Sequence, residues 1–122
     1  MRLLFVCTGN TCRSSMAEAI AKKKINENEK YKDIIVESAG VFAFNGSSAS
    51  NEAIYVMQNR GIDLKCHRAR SITTDIIKKA LKEYASGEKG DILDPFGHNI
   101  KVYESCADEL EMYIEKVLEK IA

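Results

Sequence analysis

The sequence predicts an α/β domain of the three-layer, Rossmann-like kind, a small parallel sheet flanked by helices. Three observations carry this expectation. Leu3-Leu4-Phe5-Val6 is an apolar run that stops at Cys7, passes through turn-forming residues, and gives way to the helix-favouring Met16-Ala17-Glu18-Ala19-Ile20-Ala21. A second β-branched run, Ile34-Ile35-Val36, follows, and a strand–helix–strand unit closes as a right-handed parallel crossover. From Val102 to Ile121 the apolar residues Ala107, Leu110, Tyr113-Ile114, Val117-Leu118 and Ile121 recur at helical spacing.

Length and composition agree. A chain of 122 residues, 45% hydrophobic and 30% charged, is read as one domain over 1–122 with a real core. Eighteen basic side chains balance 18 acidic ones, so neither nucleic acid nor an anionic membrane is expected as a partner. With a core strand at the very start no signal peptide is expected, and no apolar run is long enough to span a bilayer. Cys7, Cys12, Cys66 and Cys106 are too scattered for a disulfide scaffold and lack zinc-ligand spacing. A reducing cytoplasm is the expected compartment, with no metal and no cofactor.

The first strand and helix are joined by Cys7-Thr8-Gly9-Asn10-Thr11-Cys12-Arg13-Ser14. Cys7 ends the strand and Arg13 stands near the helix start, at the sheet edge where open α/β folds bind ligands. Gly9 and Asn10 readily adopt positive φ, as a nest of inward-pointing N–H groups requires. Those amides, the helix N-terminus and Arg13 favour an anion, and a thiol set among them is placed to act as a thiolate. Cys-x5-Arg-Ser therefore reads as a nucleophile within an oxyanion cradle, rather than as a buried strand-end cysteine. A Walker-type phosphate loop is excluded, because no Gly-Lys-Ser/Thr follows.

At the exit of the first helix, Lys22-Lys23-Lys24 is read as a solvated helix face, and Asn26 to Lys30 as a polar loop. The second strand ends at Glu37-Ser38-Ala39-Gly40, which brings Ser38 beside the first loop. Val41 to Ser48 is a loop with two aromatics, Phe42 and Phe44; one is expected to pack inward and the other to wall a substrate cleft. Ala49 to Arg60 reads as a helix stopped by Gly61, and Ile62 to Arg70 as a connection. A short helix is expected at Ile76 to Ala80, a weak strand at Leu81 to Tyr84, and a loop from Ala85 to Asp91. Asp94-Pro95-Phe96-Gly97, with the chain's single proline, reads as a turn.

These residues resemble the low-molecular-weight protein tyrosine phosphatase family. Cys7-x5-Arg13-Ser14 near the start and Asp94-Pro95 late in the chain are its outer signatures. Glu37-Ser38-Ala39-Gly40, and Gly61-Ile62-Asp63 through His67-Arg68-Ala69-Arg70-Ser71-Ile72-Thr73, match two inner ones. The resemblance implies that Cys7 attacks phosphorus to form a phosphocysteine, while Arg13 and the amides of Thr8 to Ser14 hold the phosphate oxygens. It implies that Asp94 protonates the leaving group and later activates water. Asn10, Ser14, Ser38 and His67 would support the loop, with Ser14 donating to the thiolate.

Within the family, Cys-Thr-Gly-Asn-Thr-Cys-Arg-Ser is similar to the bacterial protein-arginine phosphatases, with Thr11 in place of a bulkier apolar residue. Thr11, Phe42 and Phe96 are the specificity candidates, and a phosphorylated protein bearing phosphoarginine is the expected substrate. Phosphotyrosine is the alternative. A thiol-linked arsenate reductase, or a phosphate-binding domain without turnover, are further ones. The enzyme is expected as a monomer or weak dimer. Cys7 and Cys12, five positions apart on one loop, are a candidate redox pair. One departure stands out: the family's third strand and following helix have no counterpart between Ala80 and Leu81.

Overall fold

The structure, a computed structural model, describes residues 2–74 and 99–121. Strand β1 (Arg2–Cys7) and strand β2 (Ile35–Gly40) pair in parallel, in a register that sets Phe5 opposite Ser38 and Cys7 opposite Gly40. Both strands thus end at one edge, and the residues expected there arrive together. Leu3 and Phe5, two apart, pack on the core as the period of a strand requires.

Helix α1 (Arg13–Asn26) crosses back over the pair and buries Met16, Ala17, Ile20 and Ala21. Lys22 to Lys24 are helical, as the sequence suggested; the helix runs on through Asn26, and a 3₁₀ turn at Glu29–Tyr31 occupies part of the expected loop. The lysine run fits a helix because long straight side chains keep their freedom there. Lys22 pairs with Glu18 one turn earlier, at 2.6 Å.

Helix α2 (Asn51–Asn59) starts at a Ser50 cap, whose hydroxyl accepts the Ala53 N–H at 3.3 Å. It stops before Gly61, which has φ +75°. Helix α3 (Ile100–Ile121) is the long terminal helix, burying Tyr103, Ala107, Leu110, Ile114 and Leu118. Helices α1 and α2 both pack on it, and Met16, Ile20, Val56, Met57, Ile114 and Leu118 form the centre of the core. Among the described residues no helix is long and apolar enough to cross a membrane.

The connection before Thr73 is more ordered than a bare link. Arg70 C=O accepts the Gly40 N–H, and Gly40 C=O accepts the Ile72 N–H, both at 2.9 Å, extending the sheet edge. Gly46 N–H donates to Ala69 C=O, and Ala69 N–H to Ser47 C=O. One expectation fails in this region. Neither aromatic of the 41–48 loop packs inward; Phe42 is 81% and Phe44 82% exposed. The loop is fixed by its backbone instead, so it needs no buried aromatic anchor. The short helix at 76–80, the strand at 81–84, the loop at 85–91 and the Asp94 turn lie outside the described residues.

Candidate active site

Cys7 closes β1, and the chain turns under its sulfur before α1 begins. The turn depends on Asn10, whose φ of +59° is the left-handed conformation expected of it. With the chain so bent, the Asn10 N–H donates to Cys7 Sγ at 3.2 Å. Ser14, in the first turn of α1, lies 2.8 Å from the same sulfur. Its oxygen accepts from Asn10 Nδ2 at 2.8 Å, which leaves the hydroxyl proton free to point at Cys7. Two donors therefore converge on one sulfur, an arrangement that stabilises a thiolate.

Asn10 is wholly buried and uses every polar group it has. Its second Nδ2 proton goes to Ser38 Oγ at 2.9 Å. Its Oδ1 accepts the Arg70 backbone N–H at 3.0 Å, and its carbonyl lies 2.7 Å from His67 Nε2, which must be the protonated nitrogen to donate there. Ser38 in turn donates to the Glu18 carboxylate, so its lone pairs stay turned toward Asn10. Gly40 completes the fit: a Cβ there would stand 2.6 Å from Thr8 O and 3.0 Å from Asn10 N. The second strand passes too close to the loop for any other residue.

Replacing Asn10 by alanine should strip Ser14, Ser38 and the Arg70 N–H of their shared side-chain partner and force alanine into the left-handed region. We expect a loss of about 3 kcal/mol of stability, read as a lower urea midpoint at unchanged m. A loss below about 1 kcal/mol would show that the network is not cooperative with folding.

The remaining loop residues lie along the same turn. Thr8 is exposed and its carbonyl accepts the Phe42 N–H at 2.8 Å, while Cys7 C=O accepts the Val41 N–H at 2.9 Å. Thr11 and Gly9 are half-buried, and Thr11 C=O accepts the Ser50 N–H at 3.0 Å. Arg13 opens α1, whose first turn has no acidic residue and whose N-cap, Cys12, makes no capping bond with its side chain. The helix amides are thus not capped by that residue.

Cys12 differs from its neighbours. Its side chain is 5% exposed and turned to the core, where it meets Tyr103 Oη at 3.3 Å and Ser50 Oγ at 3.5 Å. Burial first, then the Cys12 contact, pushes the Tyr103 phenol above its ordinary range, which keeps it a neutral donor. All four cysteines are free thiols.

The structure therefore brings Cys7, Asn10, Ser14, Ser38 and His67 into one network, with Phe42 exposed beside it. Asp94 and Phe96 lie outside the described residues. Sequence reasoning missed Glu18 and the support from Arg70, Ser50 and Tyr103. Glu18 had a signal, since it sits four residues after Ser14 and so on the same face of α1. Arg70 also bonds Ser38 C=O and Glu37 through its side chain. A cavity of about 530 Å³ borders Glu18, Ser38, His67 and Arg70 but not Cys7, so it lies behind the cradle. Among the described residues no group of three or more His, Cys, Asp or Glu is placed to hold a metal ion.

The sequence model of low molecular weight phosphotyrosine protein phosphatases matches residues 2–80. A protein-arginine-phosphatase of Geobacillus stearothermophilus is 39% identical over 147 aligned positions, covering 98% of this chain and 95% of that protein. A low molecular weight protein-tyrosine-phosphatase, PtpB, of Staphylococcus haemolyticus is 34% identical, covering 96% of this chain and 97% of its own length. Among solved structures, a YwlE arginine phosphatase carrying a C7S substitution and a phosphorylated active-site serine has a TM-score of 0.86. It is 34% identical, over 98% of this chain and 95% of that one. An alignment of 147 positions against 122 residues contains at least 25 with no residue in this chain. The family match ends at Ala80, the point after which a strand and helix were expected to be missing.

Proposed function

The chain belongs to the low molecular weight phosphotyrosine protein phosphatase family, and from that premise we propose that it hydrolyses phosphoarginine in proteins through a phosphocysteine on Cys7. The observation that carries the reading is the pair of donors, Asn10 N–H and Ser14 Oγ–H, aimed at the Cys7 sulfur. The thiolate attacks phosphorus as the phosphorus–nitrogen bond breaks, and Asp94 delivers a proton to the departing guanidine nitrogen. Arg13 and the loop amides carry the negative charge of the equatorial oxygens through this step. Water then attacks the phosphocysteine, Asp94 takes its proton, and inorganic phosphate and the Cys7 thiolate are released. Ser14 steadies sulfur as the leaving group in that second step. We take the enzyme to work without metal or cofactor in a reducing cytoplasm, on phosphorylated proteins, as a single domain that is monomeric or weakly dimeric.

Thr11 supports arginine over tyrosine. Its small side chain leaves room for a planar guanidinium, and its hydroxyl offers a polar contact beside the point of attack. The relatives named protein-arginine-phosphatase, at 39% and 34% identity, favour the same substrate. Thr11→Ile adds apolar bulk and removes that contact, so it should move the ratio of kcat/KM for phosphoarginine over phosphotyrosine toward tyrosine by about tenfold or more. Both ratios are read from the purified protein with peptide substrates. A preference for phosphotyrosine in the unsubstituted protein, or an unchanged ratio, would remove the arginine assignment.

A further inference from the structure

The phosphate loop is held at two corners, and only the first has a place in the mechanism above. Asn10 is fixed from outside by Ser38, His67 and Arg70. The second corner is Thr11-Cys12, where the loop turns into α1. Here Ser50 N–H holds the Thr11 carbonyl at 3.0 Å, and the Cys12 side chain turns inward to the pair Ser50 Oγ and Tyr103 Oη. Ser50 Oγ already accepts the Ala53 N–H, which suits it to accept the Cys12 S–H as well. The sulfur is then left as acceptor for the Tyr103 hydroxyl. Tyr103 is 1% exposed, so this hydroxyl has no water to replace the contact.

We propose that Tyr103 is a positioning residue for the phosphate cradle, acting through Cys12 to fix the amides of the loop's second half against α3. Three elements meet at this corner: the start of α1, the cap of α2 and the first turn of α3. Tyr103 lies 91 residues from Cys12 and outside the stretch that matches the family, so no motif in the chain assigns it this part. A side chain that only filled the core would need the ring and not the hydroxyl. The hydroxyl instead spends its proton on Cys12, a loop side chain packed in the core. The effect is on the backbone: amides that point at an anion hold it better when their peptide planes cannot rock.

The inference rests on the loop being an anion cradle, so its test includes a readout that needs no anion. Tyr103→Phe, Cys12→Ala and the double variant are compared with the unsubstituted protein. Amide hydrogen exchange of residues 11–14 is measured by NMR, and the dissociation constant of inorganic phosphate by titration. In either single variant, exchange at the loop should quicken about fivefold, ahead of α1 and α3, and phosphate should bind about fivefold more weakly. The double variant should be no worse than the poorer single one, since one contact is being removed twice. If the loop amides exchange as before, the proposal is overturned, even where the melting temperature falls. Additive losses overturn it too, because they mean that the two side chains act apart. Failure of the unsubstituted protein to bind phosphate would instead strike the cradle reading, and the exchange result would still decide the part played by Tyr103.

Discussion

Exchange of Cys7 for serine is expected to lower kcat on an aryl phosphate by about 10⁴-fold or more. The geometry gives the reason. The donors at 2.8 and 3.2 Å from the sulfur are placed to stabilise a large, polarisable anion. A serine hydroxyl is far harder to ionise, and the same two donors cannot make up the difference. The Asn10 network does not pass through the sulfur alone, so the loop should keep its shape and phosphate should still bind. Steady-state kinetics with a phosphate titration checks both halves. Retention of turnover within about tenfold of the unsubstituted protein would mean that Cys7 is not the nucleophile.

Asp94→Asn should bring the second large loss, and its size should depend on the leaving group. A substrate whose leaving group is poor needs a proton as the bond to phosphorus breaks, whereas a nitrophenolate leaves without one. We expect kcat to fall about 10²- to 10⁴-fold with a poor leaving group and much less with a good one. The comparison is made on aryl phosphates of graded acidity. Equal losses across the series would assign Asp94 to the Asp-Pro turn and not to proton transfer.

Much of the site could be read from the chain because its parts are local. Cys7 to Ser14 is a single turn between two elements whose periodicity is plain, and the register of β2 delivers Ser38 to the same edge. The positive φ of Asn10 follows from its side chain and position. What escaped was either long-range or carried by backbone. Phe42 and Phe44 were expected to divide between core and cleft, but backbone bonds from Cys7, Thr8 and Ala69 settle that loop and leave both rings outside. The Cys12–Tyr103 contact joins residues too distant for any pattern to link. Helix α1 carried the lysines as expected and ran on to Asn26, because the polar stretch after them is compatible with either a helix or a loop. The shortening after Ala80 was legible only against the family, since the chain itself runs on without a break.

Turnover through a phosphocysteine requires that Cys7 become covalently phosphorylated. The direct test mixes enzyme and excess aryl phosphate, quenches in acid within the first turnover, and maps the phosphoryl group by mass spectrometry of the peptide containing residues 7–13. Asp94→Asn should raise the trapped fraction, because the second step then lacks its base. One phosphoryl group per chain is expected on Cys7, lost in Cys7→Ala. Turnover with no trapped species in either protein, or a phosphoryl group on any other residue, would contradict it.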